Sequence, residues 1–305
     1  MKNDAGGPDM NTVLAEFGRR QNPYLVRDNS PHQVVIKSYW LDLKRTEGAL
    51  SFDDIGMSVF SQNNEDGILL YLFSRVGFKT RKSVEIGCNI DNTTIGLPEG
   101  NSINLLVNFG FHGLIVDSDS TSISGLRHFF ATCLATRHFH QAADLPRGQS
   151  NGGFFSPVLL TAEASPENID RLAGESGFEE DIDLLSIDID GNDIRVFEAI
   201  SIFSPRIFMI EINNRLPFEE RSFLGPLRSL DMPTVAQRQS FGASLAETVA
   251  SAQARGFVFA GMNSNLINAF FVRKDVFASS GLHAATVEHY ANHRLRPPES
   301  FIRRK

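Results

Sequence analysis

A short apolar run that ends in closely spaced acids constrains this chain more than any other stretch. Residues 184–189 are rich in Leu and Ile, as expected of a strand buried on both faces. Asp188, Asp190 and Asp193 stand at or just beyond its end, around Gly191. Because an open α/β sheet binds ligands just outside the carboxyl ends of its strands, we interpret these acids as part of a functional site. The alternative is a strand that ends in a solvated acidic turn.

Asp188 and Asp190 are two positions apart, and side chains at that spacing share one face of a strand. Two neighbouring carboxylates are costly to bury without a cation, a hydrogen-bond donor or a proton. We therefore expect both side chains to point the same way, towards a ligand at the strand end.

Strand-like and helix-like stretches alternate along most of the chain. The predicted strands lie at 82–86, 113–116, 137–142, 184–189 and 206–212, with helical patterns between them. Such alternation is typical of a mostly parallel sheet covered by helices on both faces. Two further strands, at 257–261 and 267–273, predict a closing antiparallel hairpin. The expected fold class is therefore α/β.

We divide the chain into three parts. Residues 1–60 are predicted to form an N-terminal helical extension, residues 61–278 the main α/β domain, and residues 279–305 a basic C-terminal tail. Within the main domain, residues 213–241 are irregular and carry several prolines, arginines and glutamates. A loop of that length inside a compact domain is usually functional or disordered, and we interpret it as a substrate lid.

Composition argues against several functional classes. The formal net charge of −7 argues against a nucleic-acid coat, which is usually basic. No stretch has the apolar length that spans a bilayer, and the polar first residues show no secretory signal. With two cysteines, Cys88 and Cys133, a reduced cytoplasmic protein is the simpler expectation. We expect a small-molecule or glycan partner, and the sequence leaves a homo-oligomer open.

The loop after the first predicted strand offers acids and an amide where a cofactor would lie. Gly87 permits close approach of a ligand to the backbone, and Glu85 and Asn89 flank it. The loop lacks the G-x-G-x-x-G pattern that binds a pyrophosphate, so a cofactor with an amino group and a sulfonium charge suits these acids better. Asp117 ends the next predicted strand, where an acid usually accepts the ribose hydroxyls of an adenosine. Its alternative role is that of a simple turn residue.

A polar stretch at 61–67 precedes a predicted helix at 68–75. Asn63 and Asp66 are compatible with an N-cap region. Gln62 and its neighbours could equally contact a ligand, and the residues alone leave the two roles open.

The sequence Glu-Ile-Gly-Cys-Asn-Ile-Asp-Asn-Thr at 85–93 resembles the first motif of FkbM-type S-adenosylmethionine-dependent methyltransferases. Similar stretches follow at 185–193 and 268–273, and the resemblance spans roughly residues 58–275. It implies a Rossmann-like class I methyltransferase fold with seven strands, the last of them antiparallel. Asp91 departs from the motif, which has a second glycine there. The resemblance further implies a set of residues around S-adenosylmethionine: Gln62, Glu85, Gly87, Asn89 and Asp117.

Polar side chains also end the predicted strand at 206–212. Since parallel strands end at one edge of a sheet, Glu211 and Asn213 are expected beside Asp188 and Asp190, in an oxygen-rich cluster suited to Mg²⁺. The cluster is similar to that of macrocin-type metal-dependent sugar O-methyltransferases, which implies Asp188 as a metal ligand and Asp190 as the general base. That family has two adjacent acids where this chain has only Glu211. The metal-free alternative uses Asp190 or Glu211 directly as the base.

We therefore expect an S-adenosylmethionine-dependent O-methyltransferase that acts on a hydroxyl of a sugar, a glycan or a glycosylated small molecule. The substrate class follows from the resemblance. The alternative is a metal-dependent glycosyltransferase, because residues 188–190 form an Asp-x-Asp sequence of the kind that holds a nucleotide sugar through Mg²⁺. A third possibility is a non-catalytic binding protein that keeps the fold, which only Asp91 favours.

Overall fold

The computed structural model describes Phe52, Ile55 and residues 57–90, 98–132, 157–226 and 241–294. The strands in this part of the chain are β1 (Lys82–Ile86), β2 (Asn89–Ile90), β3 (Pro98–Glu99), β4 (His112–Asp117), β5 (Val158–Thr161), β6 (Glu180–Ile187), β7 (Phe203–Glu211), β8 (Phe257–Met262) and β9 (Asn268–Arg273). The helices are α1 (Glu65–Val76), α2 (Ile103–Asn108), α3 (Ser120–Thr132), α4 (Ile169–Glu175), α5 (Asp193–Ala199), α6 (Leu245–Ala254), α7 (Lys274–Phe277) and α8 (Val287–Arg294).

Seven of these strands form one sheet in the order β5-β4-β1-β6-β7-β9-β8. β1 lies at the centre and pairs in parallel with β4 and β6, and β5 and β7 extend the parallel part on either side. β9 runs antiparallel to both β7 and β8. The predicted Rossmann-like α/β fold is therefore confirmed: the sheet is mostly parallel, and its last strand is antiparallel.

Each face of the sheet has its own hydrophobic core. Leu185 and Ile187 of β6 belong to the core beneath α4, α5 and α6, whereas Leu184 belongs to the core beneath α1, α2 and α3. In the first core, the rings of Phe197 and Phe208 stack at a centroid separation of 3.9 Å. A strand buried on both faces needs apolar residues at successive positions, as at Leu184 and Leu185 in β6.

Strand β6 begins and ends earlier than the sequence predicts. The predicted strand is 184–189, but β6 ends at Ile187, so Asp188 and Asp190 both lie beyond it. Asp190 has a left-handed φ of 55°, which turns the chain. Asp188 is partly buried and Asp190 is exposed, so the expectation that the two share one strand face is wrong.

The edge of the sheet also differs from the prediction. The predicted strand at 137–142 lies outside the described residues. The strand next to β4 is β5, which the sequence analysis does not predict and which pairs Leu114 with Val158. β5 has only four residues, of which three are partly buried and Thr161 is exposed, so its signal in the sequence is short.

Both ends of the predicted main domain continue into packed residues. Phe52, Ile55 and Phe60 are buried, although most of the predicted extension at 1–60 lies outside the described residues. In the predicted tail, α8 places Tyr290 against Phe259, with ring centroids 5.7 Å apart. Residues 279–294 therefore contribute to the core beside β8.

Among the described residues, we find no helix with the length and apolar character needed to cross a membrane.

Candidate active site

Gly87 sits where the carboxyl ends of β1, β4 and β6 meet. Its N–H donates to the Val116 carbonyl at 2.8 Å, and its φ is 85°. A Cβ atom at this position would lie 1.7 Å from the backbone oxygen of Asp188. The glycine is thus required by the close approach of the two chain segments, in addition to any approach of a ligand.

Asp117 ties the end of β4 to the loop after β1. One carboxylate oxygen accepts the Cys88 N–H at 2.9 Å, and the other accepts the Asp119 N–H at 2.6 Å. The side chain is partly buried. Each carboxylate oxygen has a second lone pair, so Asp117 can still accept hydrogen bonds from a pair of ribose hydroxyls.

Glu85 is fully buried, and its carboxyl group faces the start of α2. It accepts the backbone N–H groups of Asn101 at 2.6 Å and Ser102 at 3.1 Å, and the Ser102 hydroxyl also donates to it. Burial raises the pKa of Glu85 to about 7 against the lowering effect of these donors. The structure therefore gives Glu85 a structural role, while its predicted cofactor contact stays a prediction.

The other two predicted cofactor residues lie at the surface. Gln62 is exposed in the turn before α1, and Asn89 is exposed at the start of β2. The segment at 91–97, which includes Asp91, lies outside the described residues. Contacts of Gln62 and Asn89 with a cofactor thus stay predictions.

Asp188 and Glu211 meet at the ends of the adjacent strands β6 and β7. Their carboxyl groups are hydrogen-bonded to each other. Burial, followed by repulsion from Asp193, raises the pKa of Asp188 to about 7, and burial followed by repulsion from Asp188 raises the pKa of Glu211 well above its ordinary value. A hydrogen bond between two carboxyl groups requires that one of them keeps its proton.

Asp193 shapes the turn that carries Asp190. Its two carboxylate oxygens accept the backbone N–H groups of Ile189 and Gly191, both at 2.7 Å. Burial is the main cause that raises the pKa of Asp193 to about 6. The sequence analysis places Asp193 among the acids of this site but assigns it no role, although an acid in the first turn of a helix is the usual signal of such a structural role.

The sequence analysis also missed Glu65, a buried acid at the start of α1. Its carboxylate accepts the side-chain amides of Asn263 at 2.7 Å and Asn268 at 3.0 Å, and both the backbone and side chain of Asn63. Its negative charge contributes to the raised pKa of Asp188. The signal in the sequence is weak, because Asn263 and Asn268 lie about two hundred positions from Glu65.

The structure does not support the predicted Mg²⁺ site. Asn213 uses its amide to donate to the Phe241 carbonyl at 2.7 Å and to accept the Arg215 N–H at 3.0 Å. Among the described residues, no group of three or more His, Cys, Asp or Glu side chains is arranged to hold a metal ion. The assignment of Asp188, Asp190, Glu211 and Asn213 as metal ligands therefore stays a prediction.

The base of the predicted lid packs directly against the Asp190 turn. A Cβ atom on Gly191 would lie 2.9 Å from the Gly225 carbonyl oxygen and 3.0 Å from the Phe241 ring. Residues 220–225 are hydrogen-bonded to residues 242–244, with the Gly242 N–H donating to Gly225 at 2.7 Å. The centre of the segment, 227–240, lies outside the described residues.

Comparison with known families agrees with this architecture. The family model for the methyltransferase FkbM domain matches residues 98–245, just under half of the chain. The match includes Asp117, Asp188 and Glu211, whereas Gly87 precedes it. Neither a curated protein nor a solved structure matches the chain.

The fold, with its polar loops at the carboxyl ends of the strands, is that of a Rossmann-like methyltransferase. More particularly, the family match and the sheet together support an FkbM-like methyltransferase.

Proposed function

We propose that this protein is an S-adenosylmethionine-dependent O-methyltransferase that acts on a hydroxyl of a sugar, a glycan or a glycosylated small molecule. The observation that carries the proposal is the acidic site at the ends of β6 and β7. None of the ion pairs between described residues involves Asp188, Asp193 or Glu211. Buried acids without a cationic partner favour a cationic ligand, and S-adenosylmethionine carries a sulfonium and an ammonium group.

The cofactor would lie over the carboxyl ends of β1 and β4. There Asp117 offers acceptor lone pairs to ribose hydroxyls, and its position is fixed by the N–H groups of Cys88 and Asp119. When bound, the cofactor supplies a methyl group on a positively charged sulfur. Transfer forms a bond from the acceptor oxygen to the methyl carbon, breaks the sulfur–carbon bond, and releases the hydroxyl proton to a base.

Of the two predicted bases, we favour Asp190. Burial and repulsion from Asp188 raise the pKa of Glu211 well above its ordinary value, which favours the form that already carries a proton. Asp190 is exposed beside the base of the lid, where an acceptor would enter. Asp193 holds this turn in place through Ile189 and Gly191.

Calorimetric titration with S-adenosylhomocysteine, with and without Mg²⁺, tests the proposal. We expect metal-independent binding in the micromolar range that Asp117→Ala abolishes. Asp119→Ala is the matched control, because Asp119 is two residues away but uses its carboxylate to cap the start of α3 through Thr121 and Ser122. Absence of binding by the wild type, or binding of a nucleotide sugar only with Mg²⁺, would contradict the proposal and favour the glycosyltransferase.

Methyl transfer to a hydroxyl panel then tests the base. We expect Asp190→Asn to lower the rate roughly 100-fold or more, the usual worth of a general base. Asn tolerates the left-handed φ of 55° at this position, so the variant should keep the turn. A larger loss in Glu211→Gln than in Asp190→Asn would move the base to Glu211.

A further inference from the structure

Asn268 carries a buried amide with only one of its two polar atoms bonded. The residue is 4% exposed, and its Nδ2 donates to Glu65 at 3.0 Å. Its Oδ1 accepts no hydrogen bond from the described residues. A buried acceptor without a donor destabilises the fold, so a hydrogen-bond donor is expected to bind this atom.

The unbonded oxygen belongs to a residue beside the carboxyl pair. Asn268 is the first residue of β9 and pairs with Glu211, the last residue of β7. Directly opposed residues in antiparallel strands lie on the same face, with Cβ atoms about 4.5–5.5 Å apart. Glu211 is in turn hydrogen-bonded to Asp188, so the three side chains border one site.

Glu65 fixes which way the Asn268 amide points. The Glu65 carboxylate accepts hydrogen bonds from Asn268, Asn263 and Asn63 and is fully buried. Rotating the Asn268 amide by half a turn would place its oxygen against the Glu65 oxygen, which is repulsive. The Oδ1 atom is therefore held away from Glu65 as a preorganised acceptor.

We infer that Asn268 is a specificity-determining residue for the methyl acceptor, and that its Oδ1 accepts a hydrogen bond from a hydroxyl next to the one that is methylated. The inference rests on the proposed function and narrows its substrate class to vicinal diols. Asn268 and the proposed general base, Asp190, would each offer one acceptor oxygen to the methyl acceptor. A vicinal diol supplies two O–H donors to them, whereas a single hydroxyl leaves one acceptor unsatisfied.

Saturation-transfer NMR in the presence of S-adenosylhomocysteine can test this with three small probes: cis-1,2-cyclohexanediol, cyclohexanol and cis-2-aminocyclohexanol. We expect the wild type to bind the diol roughly tenfold more tightly than cyclohexanol, the worth of one buried hydrogen bond. Asn268→Leu should remove the preference. Asn104→Leu is the matched control, because Asn104 is 1% exposed and also has an unbonded amide atom, but lies on α2.

Equal binding of the diol and cyclohexanol by the wild type would overturn the inference, as would a diol preference that survives in folded Asn268→Leu. Stronger binding of the amine than of the diol would overturn the assignment to a hydroxyl. If Asn268→Leu does not fold, Asn268→Ser replaces it, because the serine hydroxyl is too short to take the place of Oδ1. If neither variant folds, the relative binding of the diol and cyclohexanol by the wild type tests the inference. Titrating S-adenosylhomocysteine on the same samples separates the two claims, because its failure to bind the wild type counts against the methyltransferase and not against the diol contact.

Discussion

The carboxyl groups of Asp188 and Glu211 share a hydrogen bond across the ends of two adjacent parallel strands. Two carboxyl groups can bond in this way only while one of them keeps its proton. Burial raises the pKa of both groups, with repulsion from Asp193 adding to the effect at Asp188 and repulsion from Asp188 adding to it at Glu211. The pair is therefore both an electrostatic cost to the fold and a set of acceptor oxygens for a ligand.

The raised pKa of Asp188 predicts a pH-dependent stability. Its pKa rises from 3.8 to about 7 on folding, so the folded state binds this proton more tightly than the unfolded state. The resulting stabilisation is complete below the unfolded pKa and is lost as pH rises through about 7. As pH rises through this range, we expect the free energy of unfolding of the wild type to fall by on the order of 2 kcal/mol more than that of Asp188→Asn, as measured by urea denaturation.

Glu175→Gln provides the control for that comparison, because Glu175 is an exposed acid paired with Arg171. It should follow the wild-type pH dependence closely. If the stability of Asp188→Asn also follows the wild-type pH dependence, the Asp188 carboxyl group does not have the raised pKa on which this prediction rests.

Gly87→Ala should be strongly destabilising. The new Cβ would overlap the backbone oxygen of Asp188 at 1.7 Å, and neither strand can shift without breaking its ladder. We expect a loss of about 4 kcal/mol or more in the free energy of unfolding. Gly177→Ala has a similar φ of 77° but meets no atom within 4 Å, so it should cost only about 1 kcal/mol. Equal losses in the two variants would show that backbone conformation, rather than the close approach, explains Gly87.

Glu85→Gln separates stability from cofactor binding. Both oxygens of Glu85 accept hydrogen bonds at the start of α2, and glutamine would turn one donor group towards Ser102. We expect a loss of roughly 2 kcal/mol in the free energy of unfolding, with the affinity for S-adenosylhomocysteine changed by less than about threefold. The sequence-based prediction of a direct cofactor contact would instead be supported by unchanged stability and a large loss of affinity.

Tyr290→Phe tests whether α8 belongs to the folded domain. The Tyr290 hydroxyl accepts the Met262 N–H at 3.0 Å at the end of β8. Its removal leaves that N–H without this acceptor, so we expect a loss of about 1 kcal/mol in thermal or urea denaturation. Glu288→Ala changes an exposed residue of the same helix and should be nearly neutral. A neutral result for Tyr290→Phe would indicate that this contact does not stabilise the sheet.

Local patterns were enough to predict most of the sheet. The mainly apolar stretches at 184–187 of β6 and 207–210 of β7 are buried on both faces, so they stand out in the sequence. The hairpin of β8 and β9 follows from two apolar stretches around a polar turn. The edge strand β5 was missed, because its four residues, three of them partly buried and one exposed, form only a short pattern.

The site was predicted less completely, since its geometry depends on contacts between distant residues. The sequence predicts that Asp188 and Glu211 lie at one edge of the sheet, and in the structure their carboxyl groups are hydrogen-bonded. The sequence could not show that the Asn213 amide is hydrogen-bonded to the backbone of Phe241 and Arg215. Nor could the sequence predict the hydrogen bond between Glu65 and Asn268, because the two residues are far apart in the chain and the local pattern around each is independent of the other.

By itself, then, the sequence determined the class of fold and the edge of the sheet where chemistry is expected, because both follow from periodicity and strand order. Only the tertiary structure decided which acids share a proton, which ones cap helices, and which polar atoms lack a partner. Those outcomes depend on burial and on distances of a few ångströms between Asp188, Glu211, Glu65 and Asn268, which chain order does not encode.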